Sequence, residues 1–335
     1  MFCELIFEER PWGEILDSFS DHDFAHTFEY HRLSEVNNEG SPVLFVVFSS
    51  DLQPLACWPA LGRRIPRSEH YDLTCVYGYA GPLFSPNVDC HSILVCFFDA
   101  MRAAGYVSFF SRMHPILVEA MPEGPLRGHS LGDIILIEVN DRFAIESTYR
   151  GSHRREIVNL RKSGMSTFVD LDCQSLPEFY DIYCNAMVDI GASASYFFSY
   201  DYFATMVQSL SFKVILIYSV IEGCRVSAAM FVKCGRFFHY HLSGTLKAYR
   251  KLAPSKLIIA QAHALAVDFG CDFFLLGGGV SSANDSLFKF KQGFSRYSKP
   301  FYVVKTVLDP LAYAELCSER DVESTYSSFF PAYRK

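Results

Sequence analysis

Long apolar runs are absent from this sequence, and their absence excludes a helical membrane protein. The longest apolar stretches, such as Val43–Phe48 and Lys213–Ile221, have the length of strands, whereas a helix that crosses a bilayer needs about 20 apolar residues. The first residues, MFCELIFEERPWGE, are acidic, where a secretory signal has a basic segment followed by an apolar one. We therefore expect no membrane span, no signal peptide and a cytoplasmic location.

Paired cysteines are also lacking. The 11 cysteines are scattered from Cys3 to Cys317, and no two of them form a C-x-x-C pair. This argues against a paired-cysteine zinc site or a redox dithiol, so we expect no metal and reduced thiols. A Gly-Lys-Ser/Thr phosphate loop is missing as well, which argues against the nucleotide-binding enzymes that depend on it.

Lysine is absent from the first 150 residues, and the charge is divided unequally. Residues 1–150 contain ten arginines and 21 acidic residues, a balance of −11, whereas residues 151–335 have a balance of +4. The asymmetry indicates either two domains with different surfaces or an anionic ligand in the second half. Without a long basic stripe, sequence-specific DNA binding is not expected.

Apolar material is abundant: half of the 335 residues are hydrophobic, with 31 Phe and 19 Tyr. This length predicts two domains. An order of strands, helix and further strands occurs in both halves and is fuller in the second. We therefore predict a mixed α/β fold with mixed sheets, made of residues 1–145 and residues 146–335.

A strand, a loop and an amphipathic helix are predicted over Phe237–Phe269, and the loop reads Arg250-Lys251-Leu252-Ala253-Pro254-Ser255. It resembles the pyrophosphate loop of GNAT acyltransferases, Q/R-x-x-G-x-G/A, with Ala253 and Ser255 at the small-residue positions. Small residues let the backbone approach a diphosphate, which the first N–H groups of the helix then bind. The simpler interpretation makes Ser255 a helix cap and Arg250 a solvated loop residue; Lys251 follows Arg250 in the same loop.

His239 and His241 lie two residues apart on the same predicted strand, so regular alternation places them on one side. A neutral imidazole can accept the proton that an amine loses before it attacks an activated acyl group. The alternative is two histidines with structural hydrogen bonds.

Three glycines follow the next predicted strand, in the stretch Leu275–Phe294. Asp285 precedes a short predicted helix and can cap it. Lys289 and Lys291 lie on that helix, where one of them can stabilise an oxyanion or a phosphate.

In its order of motifs the chain resembles the FemABX-like branch of the GNAT superfamily. The resemblance is carried by the segments Tyr77–Pro82, Ser111–Pro115, Arg154–Lys162, Phe237–Thr245 and Leu276–Phe294. It implies two tandem GNAT-like domains, the first on the acceptor side and the second, more complete one on the acyl-donor side. It also implies attack by a primary amine on an activated acyl group, assisted by the lysine of a Phe-Lys pair, here Phe290-Lys291.

The same resemblance suggests roles for further residues. The catalytic candidates are His241, Lys291 and His239, and the residues expected near the donor are Arg250, Lys251, Ala253 and Ser255. Those expected near the acceptor are Tyr77, Tyr79, Arg112, Asp285, Arg154, Arg155, Arg161 and Lys162, the last four for its diphosphate.

We expect an N-acyltransferase that moves an acyl group from acyl-CoA to the amine of a nucleotide-linked amino sugar. Such a reaction serves cell-envelope glycans such as lipopolysaccharide. One alternative is a Fem-type enzyme that takes an amino acid from aminoacyl-tRNA and adds it to a peptidoglycan precursor. An acidic chain suits a tRNA binder less well. Another alternative is a degenerate GNAT pair that binds a glycan precursor or a protein without turnover.

Overall fold

A computed structural model describes residues 1–120, 125–127, 129–139, 142–279, 285–323 and 329–335. The chain divides into two compact units. Unit 1 comprises Met1–Leu131 and Pro300–Lys335, and unit 2 comprises Gly132–Lys299.

Strands and helices alternate along both units. The strands are β1 (Phe2–Ile6), β2 (Ser41–Phe48), β3 (Pro54–Arg64), β4 (Tyr71–Thr74), β5 (Leu83–Phe84), β6 (Tyr106–Arg112), β7 (His129–Glu138), β8 (Ser166–Asp170), β9 (Lys213–Ile221), β10 (Cys224–Cys234), β11 (Phe237–Thr245), β12 (Phe273–Gly277) and β13 (Ser298–Val307). The α-helices are α1 (Glu9–Leu16), α2 (Phe28–Val36), α3 (Cys90–Ala103), α4 (Gly151–Lys162), α5 (Leu176–Asp189), α6 (Tyr200–Met206), α7 (Ser255–Asp268), α8 (Ser286–Lys291) and α9 (Pro310–Ser318). None of the helices that the structure describes is long and apolar enough to cross a membrane.

The sheet of unit 1 runs in the order β1-β2-β3-β4-β6-β13, and β5 pairs with β3. All of these pairings are antiparallel except the parallel pair of β4 and β6. Parallel neighbours need a crossover connection, and α3 lies in the chain between β4 and β6. Trp58 packs on Phe97 and Phe109 with ring centroids 5.7 and 4.8 Å apart, which anchors α3 to the sheet.

The sheet of unit 2 runs in the order β7-β12-β11-β10-β9-β8. Its only parallel pair among the described residues is β11 with β12, and α7 is the crossover between them. Phe231 stacks on Phe238 with ring centroids 5.4 Å apart. On α5, the carbonyl oxygen of Ile182 would lie 2.9 Å from a Cβ on Gly244 of β11, so only glycine allows this close packing of α5 on the sheet.

The mixed α/β class predicted from the sequence is confirmed. The predicted division at residue 145 assigns all later residues to the second domain, whereas Pro300–Lys335 belongs to compact unit 1. The reason is the pairing of β13 with β6, in which Val303–Val307 runs antiparallel to Ser108–Arg112.

Candidate active site

Lys291 is a buried lysine at the end of the short helix α8. Its side chain is only 8% exposed, and its Nζ donates a hydrogen bond of 2.7 Å to the carbonyl oxygen of Gly278. The ammonium group also lies 5.9 Å from the centre of the Tyr240 ring on β11. The glycine-rich turn after β12, the middle of β11 and the end of α8 therefore meet around one cationic group.

Burial lowers the pKa of Lys291 to about 8, and the negative charge of Asp285 opposes this shift. At neutral pH the side chain is therefore mostly protonated, and it loses its proton at mildly alkaline pH. Asp285 is the N-cap of α8, where its carboxylate accepts a hydrogen bond of 2.8 Å from the backbone N–H of Phe288. The predicted contact of Asp285 with a substrate stays a prediction.

The two predicted histidines lie on β11, but the strand is not regular there. Tyr240 is opposite Phe231 and Leu242 is opposite Met230 on β10, so His241 is the extra residue of a β-bulge. Regular alternation therefore does not extend from His239 to His241, and the expectation that they share one side loses its basis. His239 is 5% exposed and His241 is half-buried. Their catalytic roles stay predictions.

The loop before α7 keeps the backbone shape expected of a glycine-rich turn although its glycines are replaced. Ala253 has φ +52° and ψ +51°, a left-handed conformation that glycine adopts more easily than any other residue. Pro254 is the N-cap of α7, and no side chain caps the helix. Ser255 is the first residue of α7 and does not cap it, which excludes the simpler interpretation of that residue.

Arg250 and Lys251 differ in their surroundings. The Arg250 guanidinium donates to the carboxylate of Asp189 at 3.2 Å and to the carbonyl oxygen of Thr245 at 3.3 Å. These contacts join the loop to α5, so Arg250 braces the turn. Lys251 is exposed. Binding of a diphosphate by either residue stays a prediction.

The basic residues predicted on one helix lie on α4. Arg154, Arg155 and Lys162 are exposed, and Arg161 forms an ion pair of 2.7 Å with Glu146. Arg154, Arg155 and Lys162 thus face solvent, whereas Arg161 is held by Glu146. Binding of a diphosphate by any of the four residues stays a prediction.

Three residues predicted near the acceptor come together in unit 1 around Arg112. Its guanidinium lies 3.5 Å from the buried thiol of Cys75 and 5.2 Å from the centre of the Phe110 ring. Burial alone would lower the pKa of Arg112. The nearby Cys75, Tyr79 and Tyr77 raise this pKa by more than burial lowers it, so the pKa of Arg112 is raised. No carboxylate among the described residues forms an ion pair with Arg112. The cluster therefore holds a half-buried cation.

Several contacts around Lys291 escape prediction from sequence. The acceptor carbonyl of Gly278 leaves no sequence signal, because every residue has one. Tyr240 lies between the two predicted histidines, and its hydroxyl donates a hydrogen bond of 2.6 Å to Ser243. Residues 280–284 of the predicted glycine-rich stretch lie outside the described residues.

The sequence of unit 2 matches a known family. Residues 147–291 match the profile of the acetyltransferase (GNAT) domain, and Lys291 is the last residue of that match. No curated protein sequence matches the chain.

Solved structures share the fold over almost the whole chain. FemX has a TM-score of 0.66 at 10% identity, covering 93% of this chain and 99% of that chain. The C-terminal domain of a putative lysylphosphatidylglycerol synthetase from Agrobacterium fabrum has a TM-score of 0.56 at 15% identity, covering 92% and 93%. L-PGS from Bacillus licheniformis has a TM-score of 0.57 at 12% identity, covering 94% and 96%. The predicted Fem-like fold is confirmed, and residues 147–291 carry the predicted acyltransferase domain of the GNAT type.

Proposed function

Starting from a chain that carries a GNAT acyltransferase domain in a Fem-like fold, we propose that it transfers an activated acyl group to a primary amine with the help of Lys291. One observation carries this proposal: a lysine only 8% exposed directs its Nζ to a backbone carbonyl at the end of a sheet strand. A buried cation is suited to stabilise the oxyanion of a tetrahedral intermediate. Lys291, which matches the lysine of the Phe-Lys pair of Fem-type enzymes, is thus also a buried lysine with a backbone hydrogen bond.

The proposed reaction is direct transfer. The amine attacks the acyl carbon, and Lys291 stabilises the oxygen that becomes negative. His241, or a water molecule beside it, takes the proton that the amine loses, and His239 is the second candidate for that role. The bond between the acyl carbon and the donor then breaks, and the donor leaves as a thiolate or alkoxide that is protonated. No covalent enzyme intermediate is needed.

We propose acyl-CoA as the donor, bound by unit 2. The left-handed turn at Ala253 and the N-terminus of α7, which no side chain caps, suit a diphosphate, because the first N–H groups and the helix dipole favour anions. Exposed Lys251 supplies a nearby positive charge. Arg250 contributes mainly by bracing the turn against α5.

We propose that the acceptor is anionic and bound by unit 1. Arg112 is half-buried, beside the Cys75 thiol and near two tyrosines, and such a cation favours a phosphate or carboxylate. A nucleotide-linked amino sugar combines a diphosphate with a primary amine, which is the acceptor expected from the sequence. The exposed arginines of α4 provide an alternative site for the same diphosphate.

A second candidate donor is aminoacyl-tRNA. The similarity of fold to FemX and to domains titled lysylphosphatidylglycerol synthetase favours aminoacyl transfer. Arg154, Arg155 and Lys162 on the exposed side of α4 suit the phosphate backbone of an RNA. In this case the acceptor would be a peptidoglycan precursor.

The experiment compares the two donors on the purified full chain. Acetyl-CoA and a longer acyl-CoA are tested with UDP- and dTDP-linked amino sugars, and aminoacyl-tRNA is tested with UDP-MurNAc-pentapeptide, with products detected by mass spectrometry. Acylated nucleotide sugar supports the first proposal. Product from aminoacyl-tRNA alone moves the assignment to the second. Absence of product with every pair, together with ligand binding in thermal-shift assays, favours a binding module.

Variants test the site with whichever donor is active. We expect Lys291→Ala to lower kcat about 100-fold, as the loss of an oxyanion-stabilising group does, with little change in acceptor binding. Lys289→Ala is the matched control, because Lys289 is exposed on the same helix. Full activity of Lys291→Ala would contradict the proposed role, and full activity of His241→Ala would assign the proton transfer to another group.

A further inference from the structure

His153 is a buried histidine in the first turn of α4 that touches the segment around Lys291. It is 5% exposed, and its Nε2 lies 3.0 Å from the carbonyl oxygen of Phe290. Since a carbonyl oxygen can only accept, Nε2 carries the ring hydrogen. Burial lowers the pKa of His153, so the ring is neutral near pH 7. A neutral imidazole thus donates one fixed hydrogen bond to the residue before Lys291.

The ring of His153 also occupies the space beside Gly293. A Cβ on Gly293 would overlap with Nε2 of His153, so no larger residue fits there while the ring stays in place. The ring meets Phe294 edge-on, with centroids 4.8 Å apart. The backbone N–H of Arg150 donates a hydrogen bond of 2.8 Å to the carbonyl oxygen of Gly293. The chain is therefore held on both sides of Lys291.

Helix α8 needs such support because it has only six residues. Helices much shorter than about 12 residues are unstable in isolation. Helix α8 sets the position of Lys291 Nζ. Burying a protonated amine is favourable only if its hydrogen-bond partner is within reach, so the amine stays buried only while the helix holds Nζ beside the carbonyl oxygen of Gly278. A loosened C-terminal turn of α8 would let the amine move into water.

We propose that His153 is a positioning residue for the acyl transfer: by holding the Phe290 carbonyl and packing on Gly293, it keeps Lys291 directed toward Gly278. The inference rests on the proposed function of Lys291. It assigns His153 no contact with either substrate and no proton transfer. The expected consequence of its loss is a lower kcat with an unchanged KM for the acceptor.

Two substitutions separate the hydrogen bond from the ring. His153→Phe keeps an aromatic ring but removes the donor, and His153→Gln keeps an N–H near the position of Nε2. We expect His153→Phe to lower kcat about tenfold, the effect of one lost hydrogen bond, and His153→Gln to recover most of that loss. Tyr149→Phe is the matched control, because it removes a buried hydrogen bond of 2.9 Å to His263 without touching Phe290. It should lower the stability and leave kcat unchanged.

A second readout does not depend on turnover. Trace modification of lysines by an amine-reactive reagent, followed by peptide mass spectrometry at several pH values, reports the pKa of Lys291, with exposed Lys289 as the internal reference. In the wild-type protein we expect a Lys291 pKa near 8. In His153→Phe it should rise toward the ordinary lysine value, because the amine becomes hydrated, whereas Tyr149→Phe should leave it unchanged.

The outcomes are separable. A folded His153→Phe protein with unchanged kcat and unchanged Lys291 pKa overturns the positioning role. If that variant does not fold, Gly293→Ala, which must displace the ring, is measured in the same way, and an unchanged Lys291 pKa in it overturns the inference. If Lys291→Ala is fully active, the proposed function fails, while the response of the Lys291 pKa to His153 still tests the contact itself.

Discussion

Helices α3 and α7 occupy the same place in their two units, yet their N-termini differ. Each is the crossover between two parallel strands, β4 to β6 in unit 1 and β11 to β12 in unit 2. Asp89 caps α3: its carboxylate accepts hydrogen bonds of 3.1 Å from His91 N–H and 2.5 Å from Ser92 Oγ. Helix α7 follows the left-handed Ala253 and has no side-chain cap.

This difference shows how one topology can serve two purposes. A carboxylate at a helix N-terminus satisfies the free N–H groups and uses the positive end of the dipole for stability. An N-terminus without such a group keeps that potential for an external anion. Unit 1 therefore caps its crossover helix with its own carboxylate, whereas no side chain caps the equivalent helix of unit 2, the unit that carries the GNAT match.

The largest expected effect concerns a buried charge that stabilises unit 1. Asp72 is fully buried and binds Arg63 at 2.9 Å, Arg334 and the hydroxyl of Tyr333 at 3.2 Å. Asp72→Ala leaves two arginines without this partner, so we expect a loss of about 3–4 kcal/mol in the free energy of unfolding, measured by urea denaturation. Glu69→Ala, which removes an exposed pair with Arg64, should change it by less than about 0.5 kcal/mol. A similar small loss for both variants would contradict this account.

The next effect depends on pH and on the core of unit 1. Burial lowers the pKa of His31 to about 4, so below pH 6.5 the unfolded chain binds a proton that the folded unit does not. Stability is therefore fully present above pH 6.5 and falls as the pH decreases toward 4. We expect His31 to contribute roughly 2 kcal/mol of the loss between pH 7 and pH 5.

His31→Phe tests this contribution by denaturation at the two pH values. In this variant the loss in the free energy of unfolding between pH 7 and pH 5 should be smaller by the contribution of His31. The contribution of His26, whose pKa is lowered to about 3 by burial, should remain. An identical pH dependence in the variant would show that His31 is protonated within the folded unit.

A direct test of the comparison exchanges the caps. Pro254→Asp places a carboxylate at the N-terminus of α7, as Asp89 does for α3. We expect it to weaken CoA binding about tenfold, because the carboxylate competes for the same N–H groups and repels a diphosphate. Asp89→Asn is the reciprocal variant and should leave CoA binding unchanged. Calorimetric titration with CoA measures both, and equal affinities in all three proteins would place the diphosphate elsewhere.

The smallest effect concerns the backbone of the same turn. Ala253→Gly removes the cost of a left-handed alanine, which exceeds the extra entropy of glycine in the unfolded chain. We expect a gain of about 0.5–1 kcal/mol in the free energy of unfolding, measured by thermal or urea denaturation. Ala248→Gly, at a position without positive φ in the same loop, should destabilise the protein slightly. A loss in both variants would contradict the strain at Ala253.

Most regular elements could be predicted because their apolar residues repeat with a clear period. The apolar stretch Lys213–Ile221 coincides with β9, and α7 ends one residue before the predicted end of its helix at Phe269. β1 and β4 were not predicted. β1 is a short edge strand with Glu4 in its middle, and β4 lies in a stretch dense in turn residues, so neither shows the apolar alternation of a buried strand.

The site was less predictable than the fold. Lys291 followed from a resemblance, and its burial agrees with that choice. The bulge at His241 depends on how β10 and β11 pair, which strand patterns do not reveal. The hydrogen bond of His153 to a carbonyl leaves no trace in the sequence either. Contacts with backbone atoms are therefore the part that only a structure supplies.

The return of the last strand to unit 1 has a consequence for how the chain is made. Unit 2 is continuous, so all of its residues are present once position 299 has been synthesised. Unit 1 must wait for β13 and for Arg334, which reaches back 262 residues to Asp72. Because domains fold as units during synthesis, we expect unit 1, whose synthesis begins first, to complete its folding last. The edge of β6 that pairs with β13 stays unpaired until then, so we expect unit 1 to be the half that is more prone to aggregate during synthesis.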